Sequence, residues 1–383
     1  MRLALAWPLH VSVGPGHYET ASTKCCATMK TMLGWFVCLC CLSAAVAVAE
    51  EISAEWELGP TGTKASLRGL SAPSERWLWA AGSSATIIRS EDGGSSWVDC
   101  SPSGYPQLEF RSIHAWNNTT ACAASAGTPA VILRTTDAGR NWTQVYSHPA
   151  AEAFFDGLRF WDEQRGIAFS DPVGGKLLIV SSQDAGRTWT AEAAEKLPQT
   201  LEHEAGFAAS NSALCIGEGG AVWIGTGGAE RPFSRVHLRT AWDAGWQVVD
   251  CPLPSGAAQG IFSIAIDGDQ LVAVGGDYRP DNNLQPTAAG SSDGGLSWQV
   301  ADVPPAAFRS AVVALPGLQH AASSRAGTRG FIATGPKGSD FSIDGRRWEA
   351  FSTHGFHALT VASTTIFGVG ADGRFGRLNV QAE

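Results

Sequence analysis

Charged side chains recur at one position of a short apolar element that begins each of seven successive sequence units. The element has the form Phe110-Arg111-Ser112-Ile113, and its second position is charged or titratable in five units, at Arg68, Arg111, Asp156, Arg309 and His357. If the first strands of the units line a common axis, groups at equivalent positions meet at one mouth, where they can bind a polar ligand. We therefore expect these side chains to converge.

Further polar clusters lie where strands are expected to end. They surround Asp171, Glu204, Asp277 with Tyr278, and Asp340, and Gly or Pro residues flank most of them. Loops at strand ends carry a disproportionate share of binding residues. Together with the second positions they give the predicted ligand-binding set: Arg68, Arg111, Asp156, Asp171, Glu204, Asp277, Tyr278, Arg309 and His357.

The elements that position these side chains are marked by a recurring octet, Ser/Thr-x-Asp-x-Gly-x-x-Trp. It spans Ser90 to Trp97, returns around Asp137, Asp184 and Asp293, and is degenerate around Asp243 and Asp344. Asp closes turns by accepting backbone N–H bonds, Gly supplies a positive φ, and Trp buries a large ring. The octets therefore predict hairpins, with structural roles for Asp92, Trp97, Asp137, Trp142, Asp184, Trp189, Asp243, Trp246, Asp293, Trp298, Asp344 and Trp348.

These octets resemble the Asp-box, or BNR repeat. About 50 residues separate successive boxes, and each unit supplies four short strands between Gly-rich turns, which is typical of propeller blades. We predict an all-β, seven-bladed β-propeller of four-stranded antiparallel blades over residues 50–383. The last unit ends without a box, and segment 54–58 supplies its missing strand. Six blades is the alternative, because the unit around Asp243 is degenerate.

The box spacing and the Phe-Arg-Ser-Ile type of element resemble the propeller family of photosystem II assembly and stability factors. The similarity covers residues 50–383, and sialidase-type propellers are more distantly similar. The resemblance implies a noncatalytic binding or assembly platform on the lumenal side of a membrane. We expect a protein or glycan ligand at the channel mouth, no cofactor, and a monomer.

A sialidase-like glycoside hydrolase is the alternative function. Glycosidases flank the scissile bond with two carboxylates, and the catalytic candidates would be Asp156, Glu204, Asp277 and Tyr278. The Arg-Ile-Pro element that begins sialidases is absent, so an enzyme is the less favoured interpretation. A third interpretation has Arg111 and Arg309 neutralise Asp156 and Asp277 without binding any ligand.

Composition excludes several other classes of protein. The net charge of −9 argues against a nucleic-acid binder that relies on a basic face. Within residues 50–383 no His-x-x-x-His or Cys-x-x-Cys spacing predicts a metal site. Four cysteines in residues 50–383, at Cys100, Cys122, Cys215 and Cys251, are too few and scattered for a disulfide scaffold, so we expect buried free thiols.

The N-terminal 49 residues are typical of a targeting segment. Lys30 precedes an apolar run from Leu33 to Val48, which ends in Ala47-Val48-Ala49. A cationic residue, a short apolar stretch and small residues before the cleavage site are typical of a cleavable signal peptide. We predict such a peptide over residues 29–49, preceded by an N-terminal extension over residues 1–28. We therefore predict cleavage after Ala49, no membrane span thereafter, and a secreted or periplasmic protein. A membrane anchor is the alternative, although the run is shorter than a span requires.

Overall fold

The computed structural model describes residues 55–279, 286–315 and 330–379, and in this part the chain is almost entirely β-structure. Twenty-eight strands form seven antiparallel sheets of four strands each. This confirms the seven-bladed propeller, and the six-bladed alternative is wrong. The helical segments within these ranges are three short 3-10 turns: Ala194–Lys196, Glu218–Gly220 and Ala371–Gly373.

The first three blades follow one another along the chain after β1 (Trp56–Pro60), each running from its innermost to its outermost strand. Their strands are β2 (Leu67–Ser71), β3 (Leu78–Gly82), β4 (Ile87–Ser90) and β5 (Val98–Asp99); β6 (Phe110–Ala115), β7 (Ala121–Ser125), β8 (Ala130–Thr135) and β9 (Thr143–His148); β10 (Phe155–Phe160), β11 (Gly166–Val173), β12 (Lys176–Ser182) and β13 (Thr190–Ala191).

Blades four to seven continue the same order, and the last one borrows β1 as its outermost strand. Their strands are β14 (Leu214–Ile216), β15 (Val222–Gly225), β16 (Ser234–Arg239) and β17 (Gln247–Cys251); β18 (Gln259–Asp267), β19 (Gln270–Asp277), β20 (Ala288–Ser291) and β21 (Gln299–Val300); β22 (Ala311–Ala314), β23 (Phe331–Gly335), β24 (Gly338–Ser342) and β25 (Glu349–Ser352); β26 (Ala358–Ala362), β27 (Thr365–Val369) and β28 (Arg374–Asn379).

The hydrophobic core lies between neighbouring blades. The innermost strands β2, β6, β10, β14, β18, β22 and β26 each contact the next one, and β26 contacts β2, so they close a ring. One apolar cluster joins Trp79 and Ile87 of blade one to Phe110 and Leu133 of blade two. Because each sheet buries one face against each neighbour, the innermost strands are held around a common axis.

Pairing of the two chain ends closes the ring, as the sequence predicts. Strand β1 runs antiparallel to β28, with Trp56 opposite Leu378. The Trp56 ring is 4% exposed and packs 4.4 Å from the Phe356 ring, and its indole N–H donates to Ser339 Oγ at 3.2 Å. Residues 54 and 380, which the sequence assigns to these strands, lie outside the described residues.

The intact octets form the predicted hairpins. In blade one Ser90 Oγ donates to Asp92 Oδ1 at 2.8 Å, and the backbone N–H groups of Gly94 and Ser96 donate to Ser90 Oγ and Asp92 Oδ1, each at 2.8 Å. The copies around Asp137, Asp184 and Asp293 repeat these bonds. The shortened copy keeps two backbone bonds to Asp344. Each Asp therefore holds a turn.

The prediction that Asp243 is a box aspartate is wrong. The box serine of blade one, Ser90, pairs with Leu78, the first residue of the second strand of its blade. In blade four the residue that pairs with the first residue of the second strand, Val222, is Arg239. If Arg239 occupies the Ser position of the box, Ala241 occupies the Asp position and Asp243 the Gly position. Asp243 is therefore two residues beyond the Asp position that the sequence analysis assigned to it. Among the described residues no hydrogen bond reaches the Asp243 carboxylate, and Trp246 alone keeps its box position.

Two further sequence expectations can be compared with the structure. The element predicted to begin unit four, Gly206–Ala209, is a loop, and the innermost strand starts later, at Leu214. The other comparison concerns the cysteines, which are buried free thiols as expected: Cys100, Cys122, Cys215 and Cys251. Burial raises the pKa of Cys122 to about 12, so this thiol stays protonated and acts as a small apolar side chain.

Candidate functional site

In four of the seven blades a bulge near the start of the innermost strand positions a side chain of the candidate site. The register of β2, β6 and β10 against the second strand skips one residue, and the skipped residues are Arg68, Arg111 and Asp156. Blade five has the same irregularity at Phe262. A bulged residue leaves the ladder and its side chain is re-aimed. In these four blades the second position of the sequence element is therefore the bulge.

These side chains line a cavity of about 450 Å³ on the propeller axis, which we call the axial cavity. Its walls come from all parts of the ring. They comprise Arg68, Arg111, Phe154, Asp156, Asp171, the loop 206–209, Phe262, Tyr278, Phe308, Ser310, Pro336 and His357. Six of the nine predicted ligand-binding residues are thus brought together: Arg68, Arg111, Asp156, Asp171, Tyr278 and His357.

One side of the axial cavity is cationic. Arg111 is paired with Glu109 at 2.5 Å and lies 5.8 Å from the centre of the Phe154 ring. No hydrogen bond or ion pair reaches the Arg68 guanidinium within the described ranges, and burial together with repulsion from Arg111 lowers its pKa to about 10. Burial and the charge of Arg68 lower the pKa of His357 to about 4, so this imidazole is neutral near pH 7.

The axial cavity also holds two interacting carboxyl groups. Asp156 is fully buried, and neither of its oxygens has a hydrogen-bond partner as an ionised group. Burial and repulsion from Asp171 raise its pKa well above the usual value, and a proton on Asp156 lets it donate to Asp171. Burial also raises the pKa of Asp171 to about 6, although the backbone N–H of Gly206 donates to it at 2.8 Å.

Aromatic rings form the remaining wall. Phe207 stacks on Phe262 with ring centres 4.1 Å apart, and Phe308 meets Phe262 edge-on at 4.6 Å. Tyr278 stands 6.1 Å from Phe262 and remains 52% exposed. Such a cluster offers a rigid apolar surface beside the charges. The axial cavity can therefore receive an anionic group and an apolar side chain of the same ligand.

The structure separates Glu204 from the predicted site. Its carboxylate is 2% exposed and accepts hydrogen bonds from Arg235, from Thr226 Oγ1 at 2.6 Å and from His237 Nε2 at 2.8 Å. Burial alone would raise its pKa, but the bonds from His237 and Arg235 outweigh it and lower the pKa to about 2. Glu204 therefore holds blade four together and lies outside the axial cavity.

Asp277 and Arg309 are also wrongly placed by the prediction. Arg279 forms an ion pair with Asp277, and Gln259 donates to the same carboxylate at 3.1 Å. Arg309 is buried in an ion pair with Asp340. A buried charge without a partner is costly, so these groups take the nearest opposite charge. The predicted ion pairs of Arg111 and Arg309 with Asp156 and Asp277 are not formed: Arg111 pairs with Glu109, Arg309 with Asp340 and Asp277 with Arg279.

Sequence reasoning missed the aromatic wall although a signal was present. The selection of charged second positions ignored the units in which that position is Phe207 or Phe262. Both phenylalanines line the axial cavity, as do Arg68, Arg111 and other second-position residues. Position in the repeat therefore predicts the lining better than charge does. Phe154 lies just before the element of unit three and Phe308 is the first residue of the element of unit six, so a search restricted to charged second positions passed over both.

Neither a metal centre nor a membrane-spanning helix is present in the described part of the chain. Across 55–279, 286–315 and 330–379, no group of three or more His, Cys, Asp or Glu side chains is arranged to hold a metal ion. Within the same ranges no helix is long and apolar enough to cross a bilayer. The axial cavity therefore remains the site to compare with known proteins.

Residues 48–150 match the sequence model of the photosynthesis system II assembly factor YCF48. Among solved structures, one described as YCF48 bound to D1 peptide is 17% identical, with a TM-score of 0.55 over 84% of this chain and 96% of that chain. YCF48 from Cyanidioschyzon merolae is 14% identical, with a TM-score of 0.54 over 85% and 98%. No curated protein gives a significant match. The chain is thus a propeller that resembles this assembly factor.

Proposed function

We propose that this protein is a noncatalytic binding platform that captures a segment of another protein in the axial cavity. The solved structure described as YCF48 bound to D1 peptide supports a peptide as the ligand class, because its fold matches over most of both chains. A place in the assembly of a photosynthetic membrane complex is part of the proposal.

The observation that carries the proposal is the unpaired guanidinium of Arg68 beside Arg111. Two cations held together in a partly buried cavity repel each other, which contributes to the lowered pKa of Arg68. A carboxylate of the ligand between them would relieve this repulsion and would accept forked hydrogen bonds from Arg68. The ligand group at this position is therefore a side-chain carboxylate or a chain terminus.

The aromatic wall supplies the second contact of the proposed ligand. Phe207, Phe262 and Phe308 lie against each other and Tyr278 keeps an exposed face. Buried aromatic anchors commonly dominate the affinity of protein interfaces. A ligand segment that carries an apolar side chain next to its carboxylate fits both halves of the axial cavity.

The glycosidase alternative finds less support. Glu204 and Asp277, two of the four catalytic candidates, have their carboxylates in closed ion pairs with Arg235 and Arg279. The carboxyl groups that remain in the axial cavity are Asp156 and Asp171, and the first of these is fully buried. Asp156 and Asp171 interact directly, so they are not the two separately placed carboxylates that flank a glycosidic bond, and Tyr278 is left as the exposed catalytic candidate in the axial cavity.

Export of the protein is also part of the proposal. Segment 29–49 has the composition of a cleavable signal peptide and lies outside the described residues. Expression with residues 1–49 attached should yield a secreted or periplasmic product that begins at Glu50. N-terminal sequencing of the product tests this, and an uncleaved chain retained in the membrane would contradict it.

The binding proposal is tested with synthetic peptides that tile the D1 protein, titrated by fluorescence polarisation. Arg68→Gln and Arg111→Gln should each weaken the tightest peptide by about tenfold to a hundredfold, the value of one charged hydrogen bond. Arg346→Gln is the control, since Arg346 is exposed and paired with Asp302 at 3.0 Å. Equal affinity in all three variants, or no binding by any D1 peptide, would overturn the proposal.

Enzyme activity is tested separately on chromogenic sialosides and glucosides. If the protein is a noncatalytic platform, hydrolysis of these substrates should be no faster with the protein than in buffer alone. Hydrolysis that disappears in Asp156→Asn would favour the glycosidase instead.

A further inference from the structure

The boundary between blades three and four lacks a close contact that four other blade boundaries share. At four boxes the Gly position packs directly on the preceding blade: Gly94 on Phe375, Gly139 on Cys100, Gly186 on Cys122 and Gly295 on Trp223. A Cβ at any of these glycines would overlap that neighbour. In blade four this position is Asp243, whose side chain needs room, so the hairpin cannot pack as closely on blade three.

A second contact, which is present at the boundaries between blades one and two and between blades two and three, is also missing here. Arg89 Nε donates to Ala138 O at 3.2 Å and Arg134 Nε donates to Ala185 O at 2.9 Å, so each arginine clamps the box of the next blade. Ser181 occupies the corresponding position in blade three, immediately before the box serine, and its side chain is too short to reach the next hairpin. Blade four therefore lacks both devices that close the boundary.

The result is a cleft of about 940 Å³, which we call the inter-blade cleft. The clefts between blades two and three and between blades five and six measure about 310 and 100 Å³. Ligand pockets commonly fall between about 300 and 1,000 Å³. The inter-blade cleft is thus large enough for several linked small units, and its main walls are Trp161, Arg165, Glu192, Arg239, Trp242 and Trp246.

The walls combine indole rings with charged groups in fixed positions. Glu192 of blade three accepts from Arg239 Nη1 and from Trp246 Nε1 of blade four, both at 2.9 Å, and the Arg239 guanidinium lies 5.0 Å from the Trp246 ring. Arg165 lies 4.4 Å over Trp242, which remains 40% exposed. Arg239 is 9% exposed, and within the described residues its Nε has no acceptor. The cleft is therefore rigid and retains an unused buried donor.

We propose that the inter-blade cleft binds a neutral oligosaccharide, independently of the axial cavity. A sugar has apolar C–H faces that pack on indole rings and a rim of hydroxyl groups that both donate and accept hydrogen bonds. A ligand hydroxyl at Arg239 Nε would satisfy the buried donor.

Charge and the state of the indoles favour this ligand over a peptide. The cations Arg165, Lys196 and Arg239 are matched by three carboxylates, Asp162, Glu192 and Asp243, so the cleft does not select a charged ligand. Grooves that bind proline-rich peptides use aromatic rings, and indole N–H groups there can donate to peptide carbonyls. Here the N–H groups of Trp161 and Trp246 already donate to Ala221 O and Glu192.

The test uses cellohexaose, chitohexaose and laminarihexaose as probes, with the propeller titrated by calorimetry and by tryptophan fluorescence. At least one neutral hexasaccharide should bind, and Trp242→Ala should weaken it by about tenfold or more. Arg239→Lys, which keeps the charge but removes Nε as a guanidinium donor, should weaken it as well. Leu296→Ala is the control, because Leu296, at 49% exposed against 40% for Trp242, is a large exposed apolar side chain in the intact hairpin of blade five.

Three results would overturn the proposal. One is the absence of binding by all three probes, and another is binding that Trp242→Ala leaves unchanged. The third is preference for hexagalacturonate or a proline-rich peptide, with an affinity that falls steeply between about 50 and 500 mM NaCl. Retention of sugar binding in Arg68→Gln supports the separation of the two sites, and its loss there would contradict it.

Discussion

Replacing Asp171 by Asn should change how the stability of the propeller depends on pH. Burial raises the pKa of this carboxyl from 3.8 to about 6. A difference of one between the folded and unfolded pKa values corresponds to about 1.4 kcal/mol, so ionisation of Asp171 lowers the free energy of unfolding by about 3 kcal/mol. Asn keeps an oxygen that accepts the Gly206 N–H bond but carries no charge, and therefore removes this penalty.

The direction of the pH dependence follows from where the proton is held more tightly. Below about pH 3.8 both the folded and the unfolded chain keep the proton, and the group has no effect on relative stability. Between about 3.8 and 6 the unfolded chain loses it first, so wild-type stability falls as the pH rises. Above about 6 the loss is complete, and Asp171→Asn should then be the more stable protein by about 3 kcal/mol.

Urea unfolding at a series of pH values between about 4 and 8 measures this difference. Asp269→Asn is the matched control, because Asp269 is exposed in the turn between β18 and β19 and should shift stability by less than about 0.5 kcal/mol at every pH. Parallel curves for wild type and Asp171→Asn would refute the reasoning, since they would mean that burial does not perturb this carboxyl.

Three further predictions concern stability and are measured by urea or thermal unfolding at pH 7. Asp184→Ala should cost about 1–3 kcal/mol because it removes the bonds that close its hairpin, whereas Asp243→Ala should be neutral; equal costs would contradict the corrected box register. Trp56→Ala should lower the free energy of unfolding by about 3–5 kcal/mol, whereas Leu58→Ala, at an exposed position of the same strand, should lower it little. Equal effects of the two substitutions would mean that the terminal strand does not close the ring. Arg309→Ala should cost about 3–5 kcal/mol by leaving a buried carboxylate unpaired, and a neutral result would show that the pair is dispensable.

Local chemistry explains why so much of the fold could be predicted. The octets around Asp92, Asp137, Asp184 and Asp293 form their hairpins through bonds between residues at most four apart, so the pattern carries its own structure. The period of the octets then fixes the number of blades. In blade four the octet is degenerate, and aligning Asp243 with the box aspartate gives a register that is wrong by two residues. Strand pairing, and not an aspartate, determines the position of that hairpin.

The candidate site was predicted in part for a related reason. Bulges at the same place in blades one to three direct Arg68, Arg111 and Asp156 to the axis, and a repeat position is visible in a sequence. The partners of Glu204 and Arg309 are not visible in the sequence, because they lie far away along the chain on another strand. Glu204 meets Arg235 and His237, and Arg309 meets Asp340, more than 30 residues on in each case.

The amino-acid sequence by itself therefore determined the hairpins, the number of blades and which repeat position faces the axis, since these follow from contacts within one unit. Only the tertiary structure decided which charges remain unpaired in the axial cavity and where two blades fail to pack. Those outcomes depend on distances between residues of different units. An unpaired buried charge is costly, so buried charges form ion pairs, and the sequence does not show which residues come close enough to pair.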